Sequence, residues 1–406
     1  MTMSTPAHIS SCDPAPPVKP NSLRPRVLSG MRPTGKLHLG NYMGALHNWV
    51  RLQAEYDCFF FIADLHALTT DYADPGRIAQ NDLDIALDFL SAGLDPGRCV
   101  IFRQSDVLEH AQLFTLFSMF TPLGWLERVP TYKDQQAQLA EKDLNTYGFL
   151  GYPLLQSADI LLYKPDFVPV GADQVAHVEL TREVARRFNG LYPGEFFLSP
   201  EAKPWELPSI QEKARKLAGE PKTSTRTDFS AAQLYEAAQQ TKKLSPFGRR
   251  EILPEPQVLL TPSPKLPGLD GRKMSKSYNN HLMLSEPEES LRAKIKTMVT
   301  DPARVRRDDK GDPDKCPVGD LHKVFSSEET LAKVYDGCRT ASIGCIECKS
   351  WCADAIVRRL EPIQEHRRDL EKRPDVVRDV LANGKERAQK RARATLVEVQ
   401  HVMGLG

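Results

Sequence analysis

The sequence predicts an α/β protein in two parts, a doubly wound parallel (Rossmann-like) sheet domain followed by an all-helical C-terminal domain. Three observations carry that prediction. Short continuous apolar runs, of which residues 58–62 are the clearest, suit strands buried on both faces of a parallel sheet. Segments of helical periodicity separate those runs, as in successive strand–helix–strand units. Beyond about residue 282 the strand-like runs stop, and helical, increasingly charged sequence remains.

Each element follows from local chemistry. The first 25 residues contain six prolines and little apolar periodicity, and read as a flexible tail. Order is expected from Arg26, with a strand through Ser29 ended by Gly30. A turn-rich stretch, 31–40, leads to a helix from about Asn41, whose Met43, Leu46, Val50 and Leu52 form an apolar face. The strand at 58–62 is followed by a helix at 78–94 and a strand at 100–102. Helices at 108–120 and 153–163, a strand at 167–170 and a helix at 175–188 complete the alternation. Residues 200–262 interrupt it with polar, Pro-containing sequence and one expected helix at 231–240. The resulting division is a tail at 1–25, a catalytic domain at 26–280 carrying a polar, basic insertion at about 200–255, and a helical domain at 281–406.

Composition narrows the class. With 406 residues the chain exceeds one ordinary core and suits two or three domains of ~100–200 residues. Its 41% hydrophobic and 26% charged content reads as soluble and globular. A net charge of +1 advertises neither nucleic acid nor an anionic membrane, so any basic surface must be local. Two stretches qualify: 203–250 holds ten Lys/Arg against five Asp/Glu, and 355–406 holds twelve against eight. No apolar run approaches the ~18–20 residues of a membrane span, and no export signal is apparent, so a cytoplasmic enzyme is expected. Five of the eight cysteines (Cys316, Cys338, Cys345, Cys348 and Cys352) crowd into one stretch, which favours a metal or redox centre over a disulfide framework.

Two loops carry the chemistry. The first, from Arg32, Pro33 and Thr34 through His38, Gly40 and Asn41, joins a strand to a helix. Small residues let a nucleotide approach the backbone, a helix N-terminus offers unpaired N–H groups to phosphate, and His38 can donate to a phosphoryl oxygen. The second is Lys273, Met274, Ser275, Lys276 and Ser277, whose alternating lysines and serines form an anion clamp suited to a polyphosphate leaving group. Alone, either could be a plain turn or a solvated basic loop. Together, in order, on either side of a Rossmann-like pattern, they point to nucleotide chemistry.

At this point the chain resembles the class I aminoacyl-tRNA synthetases. His38, Leu39, Gly40 and Asn41 match that class's His-Ile-Gly-His element, with Asn41 in the fourth place as is usual in the tryptophanyl branch, and Lys273–Ser277 matches its Lys-Met-Ser-Lys-Ser loop. Residues 61–68, 152–163 and 168–174 look like the tryptophanyl-tRNA synthetase family. The resemblance implies an ATP- and Mg²⁺-dependent tryptophan–tRNA ligase, a homodimer. Its partners are L-tryptophan, ATP and the tRNA for tryptophan.

The resemblance also implies site residues. His38, Lys273 and Lys276 would act on phosphates. Arg32, Pro33, Thr34, Gly40, Asn41, Gly171, Ala172, Asp173, Met274, Ser275 and Ser277 would complete the ATP site. Asp159 would accept the indole N–H, a buried acceptor that rejects phenylalanine because it would be left unpaired. His66, Tyr152 and Gln156 would line the same pocket, Gln156 where the family often has Met, and Gln174 would hold the substrate's amino or carboxylate group. The helical domain would read the anticodon, and the basic insertion is expected to be a surface loop, with contact to the tRNA acceptor stem as the sharper alternative.

Cys316, Cys338, Cys345 and Cys348 are spaced Cys-x21-Cys-x6-Cys-x2-Cys, which suits a 4Fe–4S cluster, with tetrahedral zinc or merely buried cysteines as the alternatives. Some family members carry such a cluster with nearly this spacing. The rival functions are a tyrosyl-tRNA synthetase, which the context of Asp159 disfavours, a smaller nucleotidylyltransferase, and a non-catalytic RNA-binding relative.

Overall fold

The computed structural model describes residues 24–130, 143–171, 174–192, 194, 196–198, 205, 207–244, 246–260 and 266–405. Apart from Arg24 and Pro25, the tail read from the sequence lies outside these. Contacts cluster the chain into two units: residues up to Val107 with Phe167–Val175 and Val258–Ala388, and Leu108–Asp166 with Ala176–Gln257 and 389–406.

Unit 1 is built on a sheet. Its strands are β1 (Arg26–Met31), β2 (Asp57–Ile62), β3 (Cys99–Arg103), β4 (Phe167–Val170) and β7 (Gln257–Leu260), in the order β3-β2-β1-β4-β7. β1 pairs in parallel with both β2 and β4, and β2 with β3. The chain moves outward from β1 to β3 and then returns to the other side of β1. That reversal is a topological switch point between β1 and β4, where a crevice opens at the strands' carboxyl ends. The loops leaving these two ends begin at Arg32 and Gly171, so the topology brings together two stretches the sequence marked for ATP.

The helices of this unit are α1 (residues 39–52, with a π turn at Tyr42–Leu46), α2 (Asp64–Asp71) and α3 (Ile78–Ser91). From the C-terminal half come α10 (Glu288–Thr297), α11 (Pro317–Phe325), α12 (Glu328–Thr340), α13 (Cys345–Glu371) and most of α14 (Pro374–Val402). One apolar core joins most of them: Trp49 stacks on Phe60 at 4.7 Å and meets Phe89 edge-on at 5.4 Å, in a cluster shared with Ile356, Leu360 and Ile363 of α13. Burying such side chains contributes about 1.5–3 kcal/mol each, so α13 is held to the sheet region by ordinary hydrophobic packing. Gly384 of α14 is required by close approach, since a Cβ there would lie 1.7 Å from the Ile101 carbonyl oxygen of β3. The helical C-terminal sequence therefore clusters largely with the sheet, although its periodicity alone suggested a separate body.

Unit 2 contains α4 (Glu109–Ser118), α5 (Leu123–Glu127), α6 (Tyr147–Tyr163), α7 (Val175–Leu191) after its first residue, α8 (Leu207–Leu217), α9 (Ala231–Thr241) and the antiparallel pair β5 (Phe196–Leu198) and β6 (Phe247–Arg249). Three helices of this unit differ from expectation, the short α5 being one that the sequence reading did not include. α6 begins six residues before Pro153, because Thr146 caps it by accepting the Phe149 N–H at 3.2 Å and the proline is absorbed within the helix. α8 was not expected at all: with α9 it closes a small core of Ile210, Ala214, Phe229, Leu234, Ala237 and Ala238. The stretch read as a surface insertion thus includes packed helices, whose few apolar residues are too widely spaced to show in a charged sequence.

Candidate active site

In unit 1, the first loop is fixed by its own hydrogen bonds. His38 is the N-cap of α1: its Nδ1 accepts the Asn41 N–H at 3.2 Å, and the Asn41 side-chain oxygen accepts the His38 N–H at 3.2 Å. This reciprocal capping box gives Asn41 a structural reason to be there. Because Nδ1 is an acceptor, the ring hydrogen sits on Nε2, which becomes a donor. Burial, then Lys276, His281 and Lys273, push the His38 pKa down to about 4, so the ring is neutral at pH 7. Gly40 is needed beside it, since a Cβ would come within 2.9 Å of the imidazole.

The two loops meet. Leu39 N–H donates to the Leu282 carbonyl at 2.9 Å and Leu284 N–H to the Leu37 carbonyl at 2.8 Å, an antiparallel bridge around His38 and Met283. Lys276 Nζ donates to the Thr34 carbonyl at 2.9 Å. Burial lowers the Lys276 pKa to about 8 against the opposing pull of Asp88 and Asp84. Met274 is buried, while Lys273 is exposed and within electrostatic reach of His38. Asn280 braces the second loop, accepting the Ser275 N–H at 2.8 Å and donating to the Asp270 carboxylate at 2.7 Å and the Lys273 carbonyl at 3.2 Å. The Ser277 side chain, like Ala172 and Asp173, lies outside the described residues.

A brace behind the first loop was not anticipated. Asp88, fully buried on α3, accepts the Leu37 N–H at 2.8 Å and pairs with Arg367 of α13. Arg367 also reaches Asp84 and Glu371, each at 2.9 Å. Burial raises Asp88 to about 6 against the pull of Arg367, leaving it charged at neutral pH. Arg32 donates to Thr70, Gln174 N–H donates to the Gly171 carbonyl at 3.0 Å, and His66 is buried on α2.

In unit 2, Tyr152, Gln156 and Asp159 are spaced by four and three residues along α6 and so share one face. Tyr152 packs against Phe149 at 5.4 Å and His177 at 5.6 Å. Asp159 is fully buried, and its Oδ1 lies 2.6 Å from Nδ1 of His110, whose Nε2 lies 2.9 Å from the Tyr163 hydroxyl. His110 was missed in the sequence. The available signal was its place on the buried stripe of α4 with Leu113 and Phe117, where an imidazole needs a polar partner.

The cysteine group is split among three helices in unit 1. Cys316 caps α11, Cys338 lies near the end of α12, and Cys345 and Cys348 form the first turn of α13. Burial first, then the thiols of Cys316, Cys338 and Cys345, push the Cys348 thiol up to about 12. Arg304 points a nitrogen at the Cys338 sulfur at 3.6 Å, and His322 Nε2 lies 3.4 Å from that of Cys348. Cys352, one turn along α13 from Cys348, is sealed in the apolar core. Among the described residues, no group of three or more His, Cys, Asp or Glu stands in a metal-holding arrangement. Nor is any described helix long and apolar enough to cross a membrane.

Comparison with known proteins places this geometry in a family. The profile for tRNA synthetases class I (W and Y) matches residues 21–218 and 230–361, so it breaks only at 219–229 within the presumed insertion. A tryptophan–tRNA ligase from Ralstonia nicotianae is 52% identical, covering 94% of this chain and 98% of its own length. One from Thermotoga maritima is 45% identical, covering 94% and 99%. The crystal structure of tryptophanyl-tRNA synthetase from Campylobacter jejuni complexed with ADP and tryptophan superposes with a TM-score of 0.73 at 29% identity, over 94% of this chain and 100% of that one. The chain belongs to the class I tRNA synthetases for tryptophan and tyrosine, in their bacterial tryptophanyl branch.

Proposed function

We propose that the chain activates L-tryptophan with ATP and transfers it to the 3′-terminal adenosine of its tRNA. The observation that carries the reading is the neutral, Nε2-donating His38 held at a helix N-terminus beside Lys276. In the first step a tryptophan carboxylate oxygen attacks the α-phosphorus in line, forming a new P–O bond as the bond to pyrophosphate breaks. No protein nucleophile is required; the side chains position the reactants and stabilise charge. His38 Nε2 and Lys276 donate to phosphate oxygens, with Lys273 joining them as the leaving group departs. Mg²⁺, when bound with ATP, neutralises charge on the pyrophosphate. Gly40, Asn41 and Gly171–Asp173 complete the nucleotide site. The resemblance assigns Asp159, Tyr152, Gln156 and His66 to the indole, and Gln174 to the amino or carboxylate group. The adenylate is then consumed by the terminal 2′-hydroxyl, which displaces AMP.

Amino-acid-dependent ATP–pyrophosphate exchange without tRNA tests the reading. Exchange with tryptophan and not tyrosine is expected; exchange with tyrosine instead would overturn the assignment of the acid site around Asp159. A cytoplasmic homodimer, with the C-terminal helices reading the anticodon, belongs to the same proposal and rests on the resemblance.

The four cysteines extend it. Cys316, Cys338, Cys345 and Cys348 are the donor set that an anionic 4Fe–4S cluster would need and would hold it, with Arg304 beside Cys338 as a flanking cation. Zinc is the alternative. Anaerobically purified protein should contain about four iron and four sulfide per chain, by the composition of such a cluster. Zinc alone would favour the alternative, and neither metal after reconstitution would remove both.

A further inference from the structure

We propose that His110 is a positioning residue that fixes Asp159 as an acceptor, and thereby sets preference for an indole over ring systems lacking an N–H. The proposal rests on the reading of Asp159 as the indole's partner. Asp159 and Tyr163 are one helical turn apart on α6, and His110 reaches both from α4. All three side chains are sealed from water. Burial and the carboxylates of Asp159 and Glu109 push the Tyr163 phenol well above its ordinary value, so its hydroxyl keeps its proton.

The arrangement constrains the imidazole at both ends. At 2.6 Å the contact to Asp159 has the length of a strong hydrogen bond to a charged acceptor. Whether the ring is neutral, with Nε2 accepting from Tyr163, or doubly protonated, Nδ1–H donates to Oδ1. A carboxylate offers about four acceptor positions, so a single hydrogen bond from His110 does not exhaust them. The physical need is clear from the alternative. A carboxyl group sealed from water without such a donor favours its protonated form. Its O–H then competes as a donor, and the site loses the polarity that recognises a donor-only ring. His110 thus supplies the polarity and the orientation, while Tyr163 holds the ring in place.

The test compares kcat/KM for pyrophosphate exchange with tryptophan and with β-(3-benzothienyl)alanine, in which sulfur replaces the N–H. His110→Leu should cut the preference for tryptophan by about 10- to 100-fold, the worth of a hydrogen bond to a charged group. His110→Asn, which keeps a donor near the Nδ1 position, should restore most of it. An equal loss for both amino acids, with preference unchanged, would make His110 a packing residue and overturn the proposal. Asp159→Ala separates the two levels. If it leaves preference intact, the acceptor reading itself fails; if it abolishes preference while His110→Leu does not, only the role of His110 fails. Should His110→Leu not fold, Tyr163→Phe decides: reduced preference supports the relay, and unchanged preference overturns it.

Discussion

The polar cluster around His38 in unit 1 and the one around Asp159 in unit 2 are built differently. The first is assembled from loops more than 200 residues apart and held largely by backbone hydrogen bonds, with Lys276 half-buried and Lys273 exposed. The second is made by two helices and joined by side-chain hydrogen bonds between fully buried groups. The difference suits the two tasks proposed for them. A triphosphate arrives highly charged and leaves in pieces, so its donors must stay hydrated enough to move. Discrimination between amino-acid rings needs a dry, prearranged acceptor, because an unmatched polar group is costly only where water cannot replace the partner.

The largest expected effect breaks the first cluster from behind. Arg367→Met would leave Asp88 buried and uncompensated, costing about 3–5 kcal/mol, read as a lower urea midpoint. It would also free the Leu37 N–H anchor to shift, so exchange should fall alongside stability. A midpoint within ~0.5 kcal/mol of the parent would remove the brace from the account.

Lys276→Ala sharpens the contrast by acting on chemistry alone. Exchange kcat should drop about 10²- to 10³-fold, as for loss of one transition-state donor, while tryptophan KM changes little. Equal losses in kcat and in tryptophan binding would contradict a role confined to the phosphates. The parent's kcat/KM for ATP should fall as pH rises through about 8, because Lys276 loses its proton there. Lys276→Arg should remove that descending limb.

The smallest effect belongs to the surface of unit 2. Lys164 and Glu398 pair at 2.8 Å with the carboxylate partly exposed. Lys164→Ala should cost no more than about 1 kcal/mol and leave tryptophan selectivity unchanged. A selectivity change would show that the end of α6 is coupled to Asp159.

Much of this was legible without coordinates. The sheet strands at 58–62 and 167–170 were visible because buried parallel strands are continuously apolar, and the loops around His38 and Lys276 because their residue types and order are unusual. The N-terminal turns of α6 were not, since Pro153 is a local breaker whose cost tertiary packing absorbs. α8 was hidden because only Ile210 and Ala214 of its residues are buried. Asp88, Arg367 and His110 are single polar residues on otherwise regular helices, and no local pattern says that they meet partners 279 or 49 positions away.

By itself, then, the sequence determined the periodicities, the strand–helix alternation and the two loops, all of which depend on neighbours within a turn or a strand. Only the tertiary structure decided the tautomer of His38, the brace through Asp88, and the pairing of His110 with Asp159. Those depend on which buried polar groups share a space without water, and that is settled by packing across the whole chain.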